Sequence, residues 1–132
     1  MRIFITGASG CIGHYFTEAL IEETEHELFL LLRNPAKLKL DCSVRPGIHL
    51  LPGNLRDIAE FSDLLKTVDV LIHAATNWGS IEEDVTKTLE LIQLLDKEKC
   101  QQVIYFSTAS ILDRQNNSLP EAGELGLSLI HI

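Results

Sequence analysis

The chain has 132 residues, 45% of them hydrophobic and 23% charged, a balance typical of one globular domain with a core of its own. The net charge of -8 at pH 7 argues against general affinity for nucleic acids and anionic membranes, because both need clustered positive charge. The longest apolar run, Leu28–Leu32, is far too short to span a bilayer, and the first residues lack the pattern of a secretory signal. We therefore expect neither a nucleic-acid partner nor a membrane partner.

Three cysteines, Cys11, Cys42 and Cys100, lie far apart and form no Cys-x-x-Cys pair. An odd number at wide spacing does not suit a disulfide framework or a zinc site, so we expect reduced thiols in a cytoplasmic protein. His, Cys and Asp residues do not cluster at the spacing of metal ligands, so no metal site is expected.

Strand-like and helix-like patterns alternate along the chain. Residues 2–6 are β-branched and aromatic and stop at Gly7, which predicts a buried strand, whereas apolar residues recur at helical spacing over 11–23. The same reasoning predicts strands at 28–32, 48–51, 69–75 and 102–106, and helices at 57–66 and 81–99. Beyond Ser107 the apolar rhythm fades, and residues 113–126 have a loop-like composition.

This alternation predicts an α/β fold in which a doubly wound parallel sheet carries helices on both faces. Five strands and right-handed crossovers suggest the Rossmann-like strand order 3-2-1-4-5, with no second domain. We expect the sheet to be truncated after the fifth strand.

The strongest chemical signal is the glycine spacing of residues 7–13, which carry Gly7, Gly10 and Gly13 between the first strand and the first helix. Glycine is needed there for a tight turn, for close approach of the backbone to a pyrophosphate, and for close packing of the helix on the sheet. The helix N-terminus offers free N–H groups to the phosphates. The alternative is a plain turn that holds no ligand.

With this loop, residues 1 to about 112 resemble the extended branch of the short-chain dehydrogenase/reductase superfamily, the NAD(P)-dependent epimerases, dehydratases and reductases. Three later segments agree with that family in order and spacing: 53–57 (Gly-Asn-Leu-Arg-Asp), 69–75 (Asp-Val-Leu-Ile-His-Ala-Ala) and 103–108 (Val-Ile-Tyr-Phe-Ser-Thr). Asn54 stands where the family has an aspartate that faces the adenine, and it keeps a hydrogen-bonding side chain. The resemblance implies cofactor-binding roles for Gly7, Ser9, Gly10, Cys11, Ile12, Gly13, Asn54, Leu55, Ala74, Ala75, Thr76 and Ser107.

The choice between NADP and NAD is argued from Arg33, which lies 20 residues after Gly13 at the end of the second predicted strand. A carboxylate at this position would accept from a free 2′-hydroxyl, whereas a guanidinium can form two charge-assisted bonds to a 2′-phosphate. No acid follows Arg33 in residues 34–36, and Lys37 is near enough to assist. We therefore expect NADP, with NAD as the alternative cofactor, unless Arg33 is simply a solvated residue that closes the strand.

The resemblance implies that Thr108 is the catalytic residue that donates a hydrogen bond to the substrate oxygen, unless it is only a β-branched residue at a strand end. The family's Tyr-x-x-x-Lys pair, which supplies the proton that hydride transfer needs, is absent. Tyr15 is followed four residues later by Ala19, and Tyr105 by Ala109. We expect the 132 residues to be inactive by themselves.

The end of the chain offers an explanation for the missing pair. Residues 127–132 are the translation of CTG TCT CTT ATA CAC ATC, the end sequence of a transposase adapter used in DNA library preparation. We expect these residues to be adapter read-through. Residues 1–126 would then be an incomplete NAD(P)-binding Rossmann domain, although a natural leucine and isoleucine tail is the alternative.

Three functions are compatible with these residues. The first is the NADP(H)-binding half of a reductase, epimerase or dehydratase that acts on a small-molecule carbonyl or sugar-nucleotide substrate, with a possible homodimer in the intact parent. The second is a non-catalytic regulator that senses NADP. The third is a Rossmann-like domain for FAD or S-adenosylmethionine, which the glycine spacing and the Ser107-Thr108 strand end disfavour.

Overall fold

The computed structural model describes residues 1–75 and 81–106 of the chain. Five strands and three helices make up these ranges, with two short 3-10 segments. In chain order they are β1 (Arg2–Thr6), α1 (Cys11–Glu23), β2 (Glu27–Leu32), a 3-10 turn (Pro35–Lys37), β3 (Ile48–Pro52), a 3-10 helix (Leu55–Phe61), α2 (Ser62–Leu65), β4 (Val70–His73), α3 (Ile81–Gln93) and β5 (Gln102–Tyr105).

The strands form one parallel sheet in the order β3-β2-β1-β4-β5, which confirms the predicted fold. The order reverses between β1 and β4, so the chain winds outward from the centre in both directions. Ligands of such sheets bind at the carboxyl ends of the strands near this reversal.

Each face of the sheet carries its own apolar cluster, because side chains alternate between the two faces along a strand. One cluster packs beneath α1 and contains Ile3, Ile5, Ile21, Leu28, Leu30, Leu32, Val70 and Ile72. The other packs beneath α2 and α3 and contains Phe4, Phe29, Leu31, Ile58, Leu65, Leu71, Leu91 and Leu95. The continuous apolar run of β2 is thereby explained, since its alternate residues fill both cores.

Two predicted helices differ from the observed ones. In place of the helix predicted at 57–66, the structure has a 3-10 helix that continues as the one-turn α2. The 3-10 helix begins at Leu55, two residues earlier than predicted, because Asn54 caps its first turn. The helix predicted at 81–99 ends at Gln93. There Asp96 turns the chain: its side chain accepts from the Glu98 amide at 2.9 Å, and its carbonyl accepts from the Cys100 amide at 2.8 Å. In the ranges that the structure describes, no helix is long and apolar enough to cross a membrane.

Candidate functional site

A cleft of about 480 Å³ opens at the carboxyl ends of β1, β2, β3 and β4. It is the position that the strand order favours for a ligand. Eight residues with predicted cofactor-binding roles line it: Gly7, Ser9, Gly10, Arg33, Asn54, Leu55, Ala74 and Ala75. Arg56 and Lys87, which sequence reasoning did not single out, line it as well.

Gly7 makes the turn from β1 into the loop with a backbone φ of +80°, a conformation that side-chain-bearing residues rarely adopt. A Cβ at this position would lie 2.6 Å from the Ala75 nitrogen and 2.7 Å from the Ala74 carbonyl carbon. The end of β4 is therefore packed directly against the glycine loop. Gly7 is required by the protein's own packing as well as by its turn.

Gly10 and Gly13 have different surroundings. A Cβ on Gly13 would lie 1.8 Å from the Gly7 oxygen, so this glycine lets α1 pack against the loop. Among the described residues, a Cβ on Gly10 would meet only the Gly7 oxygen, at 3.3 Å, and Gly10 is exposed on the cleft wall. Its surroundings leave room for the close approach of a phosphate, which is the second role that sequence reasoning gives to this motif.

The N-terminus of α1 begins at Cys11, with Gly10 as its cap residue. No side chain caps this helix end, and its first turn carries no acidic residue. The first amides of the helix, from Cys11, Ile12 and Gly13, are thus left for an anion at the positive end of the helix dipole. The side chains of Cys11 and Ile12 are exposed and do not line the cleft, so what these positions offer to an anion in the cleft is their backbone amides.

Basic side chains surround the cleft although the chain as a whole is acidic. Arg33 follows β2, Arg56 lies on the 3-10 helix after β3, and Lys87 lies on α3, where it pairs with Glu90 at 2.9 Å. Lys37 is exposed on the 3-10 turn after β2 and is not among the lining residues. Asp84 is the acidic residue among the described lining residues, and the three basic side chains outnumber it, so the local charge favours an anionic ligand.

Asn54 has a structural task in addition to its place in the cleft. Its side-chain oxygen accepts from the Arg56 amide at 2.7 Å, and its own amide donates to the Asp57 carboxylate at 3.4 Å. This reciprocal pair is a capping box, and it orients the first turn of the 3-10 helix.

A buried polar chain lies behind the glycine loop. Thr6 Oγ1 is 2.6 Å from His73 Nδ1, and His73 Nε2 is 2.9 Å from Thr88 Oγ1 on α3. All three residues are buried, and this burial lowers the pKa of His73 to about 4, so the ring is neutral at physiological pH. Sequence reasoning did not identify this chain, because only the tertiary pairing of β1, β4 and α3 brings the two threonines to His73.

Thr76, Ser107 and Thr108, the remaining residues with predicted site roles, lie outside the described residues, as do residues 107–132 as a whole. Within the part of the chain that the structure describes, no three His, Cys, Asp or Glu side chains come together as a metal site would need.

The chain matches the family model described as NAD(P)H-binding over residues 7–130. It is 38% identical to the probable pinoresinol-lariciresinol reductase 3 of Arabidopsis thaliana over 74 residues, which are 55% of this chain and 24% of that protein.

Two solved structures share the fold. A short-chain dehydrogenase/reductase (wide type) from Veillonella parvula in complex with NADP has a TM-score of 0.65 and 18% identity, over 83% of this chain and 48% of that one. A UDP-glucuronic acid 4-epimerase from Bacillus cereus in complex with NAD has a TM-score of 0.69 and 21% identity, over 92% and 44%.

The chain spans between 24% and 44% of the length of the curated relatives that it matches. These matches confirm the resemblance to the short-chain dehydrogenases/reductases and epimerases that the sequence motifs indicate. Since the family model covers residues 7–130, which include the whole glycine loop and every described strand after β1, the chain belongs to the NAD(P)H-binding family.

Proposed function

We propose that this chain binds NADP(H) in preference to NAD(H), as the dinucleotide-binding part of a reductase, epimerase or dehydratase with a small-molecule substrate. The observation that carries the preference is the place of Arg33. It leaves the end of β2 and lines the cleft, where the ribose of the adenosine is held in folds of this kind.

The charges at this end of the cleft support the proposal. The residues that follow Arg33 are Asn34, Pro35, Ala36 and Lys37, so no carboxylate in this turn is placed to accept from a 2′-hydroxyl or to repel a 2′-phosphate. Arg56, on the 3-10 helix that follows the neighbouring strand β3, lines the same cleft. Guanidinium groups match the geometry of a phosphate and are less strongly hydrated than ammonium groups.

The test is a titration of the chain with NADP and with NAD, in which binding is measured by calorimetry or by the shift in thermal unfolding. We expect NADP to bind more tightly, and Arg33→Ala to weaken NADP by about tenfold or more while leaving NAD within about twofold. Lys39→Ala is the matched control, because Lys39 is exposed beyond the turn and does not line the cleft. Equal affinities of the wild-type chain for the two cofactors, or equal losses in Arg33→Ala, would contradict the proposal.

When bound, the nicotinamide supplies the hydride that passes to or from the substrate carbon. The chain's own contribution would be to bind the pyrophosphate through the amides of α1 and the adenosine through Arg33 and Asn54. We place Thr108 at the substrate oxygen as a hydrogen-bond donor. Because neither tyrosine is followed four residues later by lysine, we expect no turnover of NADPH with carbonyl substrates by these 132 residues. Measurable turnover would refute this.

The second candidate is a regulator that reports NADP binding to a partner protein, a role that does not need a Tyr-x-x-x-Lys pair. The two candidates differ in the gene beyond codon 126. Sequencing of the source gene from a library made without the transposase adapter is decisive: a frame that continues into Tyr-x-x-x-Lys supports the enzyme and the adapter origin of 127–132. A genomic stop after codon 132 supports the regulator.

A further inference from the structure

Among the described residues, three nitrogen atoms lie within hydrogen-bond distance of the Thr6 hydroxyl, and together they fix the direction of its hydrogen bonds. The amides of Ala74 and Ala75 both lie 3.2 Å from Thr6 Oγ1 and donate to it. The Ala74 bond is one branch of a bifurcated bond, because the same amide also donates to the Thr6 carbonyl at 3.1 Å. A hydroxyl has two acceptor lone pairs and one proton. With both lone pairs engaged, the proton of Thr6 is the group left for His73 Nδ1, at 2.6 Å.

This direction determines the tautomer of the histidine. If Thr6 donates to Nδ1, that nitrogen carries no proton, and the ring proton of the neutral imidazole is on Nε2. From there it is donated to Thr88 Oγ1 at 2.9 Å. The chain of bonds therefore runs in one direction, from the Ala74 and Ala75 amides through Thr6 and His73 to α3.

The surroundings of the ring agree with a neutral histidine. His73 is 1% exposed, and its ring lies 5.5 Å from that of Tyr105 on β5. Among the described residues that pack around it, β1 and α3 present the hydroxyls of Thr6 and Thr88. The nearby charged side chains of α3, Asp84 and Lys87, line the cleft.

We propose that His73, as the Nε2–H tautomer, is a positioning residue for the dinucleotide loop. By accepting the Thr6 proton, it keeps both lone pairs of Thr6 Oγ1 available to the Ala74 and Ala75 amides. The Ala74 amide still donates to the Thr6 carbonyl, as the last hydrogen bond of the ladder between β1 and β4, whereas the Ala75 amide lies beyond that ladder. Thr6 Oγ1 gives the Ala75 amide the acceptor that a neighbouring strand would otherwise provide.

The position of this segment matters because it forms one wall of the glycine loop. The Ala75 nitrogen is the atom nearest to the missing Cβ of Gly7, at 2.6 Å, and Gly7, Ala74 and Ala75 all line the cleft. If Nδ1 carried the proton instead, it would compete with the two amides for the lone pairs of Thr6. The wall would then lose a hydrogen bond, and the cofactor would meet a less ordered loop.

The first experiment reads the ring proton directly, by long-range proton–nitrogen NMR of the chain labelled with nitrogen-15. We expect the His73 ring to be neutral with its proton on Nε2 at neutral pH. A proton on Nδ1, or a doubly protonated ring, would overturn the inference. This measurement does not require any cofactor to bind.

The second experiment compares two variants by NADP titration. In His73→Asn the side-chain oxygen can take the place of Nδ1 and accept from Thr6, whereas His73→Gln reaches the place of Nε2 and serves Thr88 instead. We expect His73→Asn to keep NADP affinity within about threefold, and His73→Gln to lose about tenfold or more. Both variants lose the ring, so a merely structural role would weaken them equally, and that outcome would overturn the inference.

Two threonine variants complete the set. Thr6→Val is expected to weaken NADP binding as His73→Gln does, and Thr6→Ser, which restores the hydroxyl, to recover it. Thr17→Val is the control, because Thr17 is equally buried and its hydroxyl finds no hydrogen-bond partner among the described residues.

The affinity comparison rests on the proposed function, since it needs a cleft that binds NADP. A wild-type chain that fails to bind NADP would contradict the proposed function, and the ring-proton spectrum would then decide the inference alone. Binding of NADP with equal losses in His73→Asn and His73→Gln would overturn the inference and leave the proposed function standing.

Discussion

At the scale of single residues, the three loop glycines are required for different reasons, because their surroundings differ. Gly7 and Gly13 are fixed by the protein itself, since a Cβ on either would lie less than 3 Å from backbone atoms. Gly10 has a backbone φ of -79°, which any residue can adopt, and the nearest described atom to a Cβ built on it is the Gly7 oxygen at 3.3 Å, a tight contact but not a clash. Its glycine is therefore explained best by what approaches from the cleft.

This difference predicts that one alanine substitution lowers mainly stability and the other lowers mainly NADP affinity. Gly13→Ala should lower the free energy of unfolding by about 3 kcal/mol, because α1 must move away from the loop. Gly10→Ala should change it by less than about 1 kcal/mol but weaken NADP binding by about tenfold or more. Urea unfolding and NADP titration of both variants measure the two effects. If Gly10→Ala binds like the wild type, the phosphate does not approach there.

The glycine loop, the strand order and the position of Arg33 could be predicted from the sequence, because each depends on local spacing or on where a strand ends. The sequence could not reveal the role of His73, whose partners Thr6 and Thr88 are 67 and 15 residues away along the chain. The end of α3 was also missed, since Leu94 and Leu95 continue the apolar pattern after the helix has ended. A periodic apolar pattern indicates which residues are buried, and Leu94 and Leu95 pack into the core although the backbone there is no longer helical.

At the scale of elements, Asp69 ties the amino ends of three strands together. Its carboxylate accepts from the Arg2 amide of β1 at 2.8 Å and pairs with Lys99 at 2.9 Å, and its carbonyl accepts from the Gln101 amide next to β5 at 2.7 Å. The hydrogen bond from Arg2, with a further one from Lys99, lowers the pKa of Asp69 below its ordinary 3.8. Its contribution is thus made by the charged form.

The pH dependence follows from the sign of this shift. The unfolded carboxyl takes up its proton at a higher pH than the folded one, so the stabilisation is complete above the ordinary pKa and is lost as pH falls through the lower folded pKa. Asp69→Asn should be less stable than the wild type at neutral pH, and the difference should shrink in acid. Urea unfolding over a pH series measures it, with the exposed Glu22→Gln as control. A difference that stays constant with pH would show that the charge of Asp69 contributes nothing.

At the scale of the whole molecule, one sheet separates the two apolar clusters, and every interior strand contributes to both. Neither cluster can be lost without exposing the other side of the same strands, so we expect a single cooperative unfolding transition. We expect β5 to be a site of self-association, because it pairs with β4 along one edge and, among the described residues, has no strand along the other.

An open edge with half-buried Val103 and Ile104 is a surface for pairing with another chain. We therefore expect the 132-residue chain to self-associate as its concentration rises. Size-exclusion chromatography with light scattering over a concentration series measures this. A monodisperse monomer at all concentrations, with a cooperative thermal transition, would contradict it.

The turn after β2 has one more consequence. Arg33, Asn34, Ala36 and Lys37 are exposed, and none of them belongs to either apolar cluster. Substitutions there leave the core intact, whereas changes at Gly7 or Gly13 disturb it. If Arg33 contacts the adenosine ribose as we propose, a few surface changes would retune this cleft between the two coenzyme pools of the cell, while Gly7 and Gly13 of the loop are held constant by folding itself.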